Sequence, residues 1–151
     1  MPEDVRRLFT DDYDEYVFGP PCSEAEVEQA EAALGEPLPP HLRELYLAFN
    51  GFTGCTGAAF LWPLFGELSL VVTNQLYRGD GVFPQAITSG CLFFGDNGCR
   101  QLWAFKRDAP GRVVRWNLSW PDAVEDAGDS PLAAWAAEKQ IYDELASEGE
   151  E

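Results

Sequence analysis

The chain offers few side chains for chemistry. Its only histidine, His41, stands in "LPPHLRELYLAFNG" directly behind two prolines. A general base needs a proton within reach. No G-x-S-x-G elbow supplies the nucleophile of a Ser-His-Asp arrangement. His41 therefore reads as an exposed or capping residue at a helix start. The carboxylates of "DDYDEY" (Asp11, Asp12, Asp14 and Glu15) invite a metal. A calcium loop begun at Asp12 puts Tyr16 at the fifth position and Val17 where glycine is required, so the EF-hand pattern fails. The segment reads as a solvated or partner-facing loop. Cys22, Cys55, Cys91 and Cys99 have no C-x-x-C spacing and only one histidine to join them, which does not make a structural zinc site. Reduced thiols are the expectation, with no enzyme activity, cofactor or metal.

Shorter motif matches add little. Arg78-Gly79-Asp80 is a three-letter coincidence with an adhesion motif. Asn117-Leu118-Ser119 fits a glycosylation sequon, but no signal-like apolar run near the N-terminus would bring it to the machinery. Gly95 and Gly98 flank no phosphate-binding pattern, and Asp96 between them would repel phosphate. With Asn97 they read as a hairpin turn.

Charge narrows the partners. The chain carries 26 acids and 10 bases, a net charge of −16. Residues 1–50 hold twelve acids and three bases, and residues 122–151 hold ten acids and one base. The middle holds four acids and six bases. Phosphate backbones and anionic membranes need Lys and Arg, so neither is the expected ligand. A basic protein partner suits the charge, and so does simple solubility. No segment approaches the roughly 18 apolar residues that cross a bilayer, and a cytoplasmic location is expected.

The 151 residues, 46% of them apolar, suit one domain with a substantial core. Val5, Leu8 and Phe9 are spaced for a short first helix. Ser23 and Glu26 form an S-x-x-E capping box for a second, with Cys22 and Val27 placed as a hydrophobic staple. Val27, Ala30 and Leu34 line its inner face, and Gly35 can leave it with positive φ. Leu38 then turns inward, Pro39 is extended, and Pro40 suits a first helical position. Leu42, Leu45, Tyr46 and Phe49 make the next apolar face, closed by Asn50-Gly51 through positive φ. The corner locks two helices at a fixed angle.

Beyond Gly51 the pattern becomes aromatic and β-branched. Residues 58–65 read as a strand that Pro63 restricts to an edge or an end, and residues 68–77 as a short helix. Residues 91–95, 101–107 and 111–118 read as strands of an antiparallel meander. Alternation along the middle one puts Leu102, Ala104 and Lys106 on one face, and Gln101, Trp103, Phe105 and Arg107 on the other. Most tryptophans near these strands should be core, and one left outside beside acidic loops would suit an interface. Ser130 and Pro131 start a last helix whose inner face is Leu132, Trp135, Ala136, Tyr142 and Leu145. Lys139 sits on that stripe with its ammonium in water. Residues 147–151 read as an acidic tail. The class is α+β: N-terminal helices and a C-terminal helix on a mainly antiparallel sheet.

The corner resembles the SMI1/KNR4 family, also called the SUKH superfamily. The matching elements are Glu31 in an amphipathic helix, Leu34-Gly35, Leu38-Pro39, the helix to Phe49, and Asn50-Gly51. The aromatic stretch near Trp62 and the turn at Phe94 to Gly98 follow in the family's order, over about residues 23–146. The resemblance implies a SUKH-like fold and a binding role, with no catalytic residue to carry over. Bacterial members act chiefly as immunity proteins that neutralise polymorphic toxins, often nucleases, by stoichiometric occlusion. Other members are regulatory proteins linked to the cell wall, which is the alternative here. A nuclease toxin would present a basic cleft. Asp11, Asp12, Asp14 and Glu15 are then the charged contacts to expect, with Asp96 and Asn97 as turn contacts.

Overall fold

The computed structural model describes residues 2–9, 16–54, 57–79, 81–109 and 111–149. Asp11, Asp12, Asp14, Glu15, Cys55 and Asp80 lie outside that set. A short helix α1 (Pro2–Leu8) leads to the corner, formed by α2 (Glu24–Leu34) and α3 (Pro40–Ala48). The capping box is complete: Ser23 Oγ accepts from the Glu26 N–H at 3.1 Å, and Glu26 Oε1 accepts from the Ser23 N–H at 3.0 Å. Val27, Ala30 and Leu34 are buried, and Gly35 leaves α2 at φ 77° with its N–H on the Glu31 carbonyl.

Glu31 explains why the corner is stiff. Its Oε2 accepts from the Leu38 N–H at 2.7 Å, and its Oε1 lies 3.3 Å from Arg43 Nη1 on α3. One carboxylate thus spans the end of the first helix, the proline turn and the second helix. Both charge-assisted bonds are of the stronger kind. A Cβ at Gly35 would meet nothing within 4 Å, so substitution there meets backbone strain alone. Gly35→Val should cost about 1–2 kcal/mol and Gly35→Asn distinctly less. Equal melting temperatures for the two variants would contradict this.

The exit from α3 differs from the expectation. Phe49 is already extended (φ −155°, ψ 140°), and of the pair that follows only Gly51 has positive φ, 84°. Asn50 acts through its side chain instead. Its Oδ1 accepts from the Leu64 N–H at 2.8 Å, pinning the chain that returns after the corner. Gly51 is required twice over, because a Cβ there would also sit 2.7 Å from the Leu61 carbonyl oxygen.

Two sheets follow. β1 (Val17–Phe18) pairs antiparallel with β2 (Phe52–Thr53). The larger sheet is an antiparallel meander of β3 (Cys91–Asp96), β4 (Gln101–Lys106), β5 (Val113–Asn117) and β6 (Val124–Gly128). Its alternation is as expected. Leu92, Phe94, Trp103, Phe105 and Val113 join the core with the corner helices, while Phe93, Leu102, Ala104, Val114 and Trp116 join a second cluster on the other face. That second face is covered by Tyr77, Phe83 and Ile87, from α4 (Leu70–Gly79), the following loop and α5 (Gln85–Thr88).

Residues 58–65 are not a strand. Leu61 bridges to Phe52 on one side, while Trp62 donates to the Phe94 carbonyl and Ala59 accepts from Asp96 on the other. The segment divides its hydrogen bonds between two neighbours and lies irregularly along the edge of β3. β6, unforeseen in the sequence, is the opposite edge. Its Glu125 pairs with Arg115 of β5 and its Asp126 with Arg112 just before β5, an arrangement that also discourages edge-to-edge association.

The last helix, α6 (Pro131–Gly149), begins at Ser130, whose Oγ accepts from the Ala133 N–H at 3.1 Å. Trp135 is fully buried between Phe52 and Phe94. Leu145, expected on the inner face, is 59% exposed. Nineteen helical residues reach about 28 Å, and a five-residue strand about 17 Å, so the later turns outrun the sheet. Lys139 is buried along most of its length, and its ammonium lies 2.8 Å from Asp143, a carboxylate that is itself half exposed. The Tyr142 side chain lies outside those described.

Cys22, Cys91 and Cys99 are free thiols, the first two buried. Burial is the main cause that pushes the Cys22 and Cys91 thiols up to about 11, which keeps them protonated and unreactive near neutral pH. In a Cys55→Ser variant, iodoacetamide at pH 8 should label Cys99 and leave Cys22 and Cys91 unmodified. Equal labelling, read by peptide mapping, would contradict that.

Candidate functional site

α4 starts where Ser69 caps it, Ser69 Oγ accepting from the Val72 N–H at 3.2 Å. Its buried side is partly polar: Ser69 and Asn74 are fully buried, with Thr73 nearly so. Asn74 clamps the helix to β3. Its Nδ2 donates to the carbonyls of Leu70 (2.7 Å) and Phe93 (2.8 Å), and its Oδ1 accepts from the Phe93 N–H at 2.8 Å. One flank is tied to α2 by Gln75 Nε2 donating to the Ala33 carbonyl, and to the turn after α2 by Arg78 on Glu36.

With both inner contacts made, α4 presents Leu68, Val72 and Leu76 outward, 78%, 42% and 62% exposed. Positions four apart share a helix face, so the last two stack with Leu68 just ahead of them. Phe65 in the preceding loop is also exposed. Single exposed leucines are ordinary, but a contiguous apolar stripe rimmed by polar groups marks an interaction surface. Glu67 adjoins Leu68, and α2 exposes Glu26 and Glu28. No base among the described residues forms an ion pair with Glu28 or Glu67. The stripe is an apolar strip on an acidic surface.

The sequence-derived candidates fall elsewhere. Asp96 is half-buried: its Oδ2 accepts from Trp62 Nε1 at 2.8 Å and its Oδ1 from the Gly98 N–H at 2.9 Å. Asn97 is buried, its amide donating to Gln101 and to Glu138 of α6 while its Oδ1 accepts from the Cys99 N–H. Both shape the β3–β4 hairpin and tie it to α6 and to the irregular segment around Trp62. Trp120, 74% exposed, is the tryptophan left outside, at the same end of the sheet, where Leu118 donates to the Arg100 carbonyl. Leu34, Gly35, Leu38, Pro39, Asn50, Gly51 and Glu31 all act within the corner described above. His41 is exposed and its side chain makes no hydrogen bond among the described residues. No group of three or more His, Cys, Asp or Glu among the described residues could hold a metal, and no helix among them is long and apolar enough to cross a membrane.

A glutamate-braced helical corner laid on an antiparallel meander, with a closing helix, defines an α+β domain of SUKH type. The chain matches the SMI1 / KNR4 family (SUKH-1) over residues 21–142, most of its length, and belongs to that family. Membership supports a role of the immunity-protein or SMI1/KNR4 type, a family generally not catalytic. A search of curated proteins returned no match.

Proposed function

We propose that the chain is an immunity protein that neutralises a cognate bacterial polymorphic toxin by stoichiometric occlusion. The observation that carries this reading is the exposed Leu68-Val72-Leu76 stripe on an acidic surface. It suits a partner that brings apolar anchors and Lys or Arg around them. A nuclease has that character where it grips phosphates. Occlusion needs no turnover, which accords with a family generally of non-catalytic type. Asp11, Asp12, Asp14 and Glu15, with Asp96 at the hairpin that Asn97 braces, add negative potential that speeds encounter with a basic surface.

The test is a toxin domain encoded beside this chain, titrated against it by surface plasmon resonance at several salt concentrations. Val72→Ser with Leu76→Ser should raise the off-rate at least tenfold, since truncated apolar anchors act mainly there. Replacing Asp11, Asp12, Asp14 and Glu15 by Asn or Gln should lower the on-rate and its salt dependence, because exposed charges reach only about 8 Å at physiological ionic strength. Absence of any complex would favour the regulatory or scaffold role instead. An off-rate untouched by the double serine variant would move the docking face away from α4.

A further inference from the structure

The first donors of a helix are ordinarily open to a partner, but those of α4 are spent. Leu70 N–H donates to the Pro63 carbonyl at 2.9 Å and Val71 N–H to the Leu64 carbonyl at 3.3 Å. Val72 N–H is held by Ser69 Oγ at 3.2 Å, and Thr73 N–H by the Ser69 carbonyl at 3.0 Å. Along its first turn α4 therefore offers an incoming chain side chains and no backbone donor.

That restricts what can lie on Leu68, Val72 and Leu76. An extended segment would hold its own N–H and C=O groups against apolar side chains with nothing to meet them, a costly burial. An α-helix closes those groups on itself and brings only side chains. Its apolar residues recur every three or four positions. They match the four-residue steps of the stripe, which together cover about 12 Å. Ridges of this kind interlock with those of a second helix at about 8–10 Å between axes. Charge then selects the helix. Glu67 adjoins the stripe, Glu28 stands on the neighbouring α2, and neither forms an ion pair with a described base. A second copy of the chain would bring the same acids to the same stripe, so self-association is opposed.

We infer that the partner segment that docks on α4 is a basic amphipathic helix. Its apolar side chains interlock with Leu68, Val72 and Leu76, and its Lys or Arg flanks face Glu67 and Glu28. This rests on α4 being the docking face proposed above and adds the form and charge of the segment that meets it.

The probe is a capped peptide of about 18 residues, long enough to hold a helix alone, with Leu at i, i+4, i+7 and i+11 and Lys and Ala elsewhere. One counterpart has two central alanines replaced by proline, which breaks the helix and keeps the charge. Another has Glu for every Lys. Titration calorimetry against the full chain should give one site for the first peptide and at least tenfold weaker binding for both counterparts. Amide resonances of Val72 and Leu76 should shift on saturation while those of Val114 and Trp116 in the sheet stay still. Val72→Ser with Leu76→Ser should weaken the peptide at least tenfold, with circular dichroism showing that the fold survives. Leu68→Ser, ahead of the helix, should weaken it about threefold by removing one anchor of the stripe. Equal binding of the proline or the acidic peptide, shifts spread over the whole acidic surface, or indifference to Leu68→Ser would each overturn the inference. A toxin that docks on α4 through an extended segment would also overturn it and leave the immunity role intact. A peptide that docks as expected where no toxin complex forms would support it and end the immunity role alone.

Discussion

Gly95→Ala should be among the most damaging single substitutions, costing more than about 3 kcal/mol, beyond the usual range for one added methyl in a packed interior. A Cβ at Gly95 would lie 1.9 Å from the Phe60 carbonyl oxygen and 2.6 Å from its carbon. These are backbone atoms, so no rotamer change relieves the clash. The two chains are held together there by Trp62 N–H to the Phe94 carbonyl (2.9 Å) and Asp96 N–H to the Ala59 carbonyl (2.8 Å). Moving Phe60 away must stretch both. It would also disturb Phe60 itself, stacked between Phe52 and Trp103 in the core. Gly79→Ala, where a Cβ meets nothing within 4 Å, is the control and should be neutral or slightly stabilising. Urea denaturation followed by circular dichroism makes the comparison. A Gly95→Ala midpoint within error of the control would mean that the segment along β3 yields easily.

How much of this was legible in the sequence follows from how local each determinant is. The capping box at Ser23, the left-handed Gly35 and the Ser130 cap are each decided within a few residues, and all three stand in the structure. Glu31 was visible as a motif letter, but its closing of the corner on Leu38 and Arg43 needs three dimensions. Residues 58–65 carry strand composition, yet their neighbours are Phe52 and β3, one on each side, so no regular ladder forms. β6 was hidden because an acidic edge strand reads "VEDAG", without the alternation that marks a half-buried strand. The helix at 68–77 was legible, but its outer face was not. Apolar residues surround it, and the polar Ser69, Thr73 and Asn74 turn inward while Leu68, Val72 and Leu76 turn out. Leu70 and Val71 are buried beside those polar residues, so hydropathy alone does not separate the two faces. A groove beside the corner joins residues 36–41 to residues 105–107 and Gly111, a juxtaposition no window along the chain contains.

The Asn74 clamp on that helix makes the second large prediction. Asn74→Ala should cost about 3 kcal/mol or more, because it leaves the buried N–H of Phe93 without its acceptor and two carbonyls without their donor. Asn74→Asp tests the same clamp by pH. An ionised carboxylate there would face the Leu70 and Phe93 carbonyl oxygens, a buried position that disfavours the charge. Its folded-state pKa is therefore raised, so the variant's stability is greatest below the unfolded value of about 3.9 and is lost as pH rises through the folded one. Wild type has no such group and should not share that slope. Because the clamp holds α4 to β3, the damage should be local first. Hydrogen exchange by mass spectrometry should quicken in α4 of Asn74→Ala well before it does in β4 and β5. A helix loosened in this way no longer presents Leu68, Val72 and Leu76 as one rigid stripe, and ordering it on contact costs affinity. The partner complex should then weaken at least tenfold even where the variant remains mostly folded. Uniform exchange across α4, β4 and β5, or full affinity in the loosened variant, would mean that α4 is neither held by Asn74 nor needed rigid for docking.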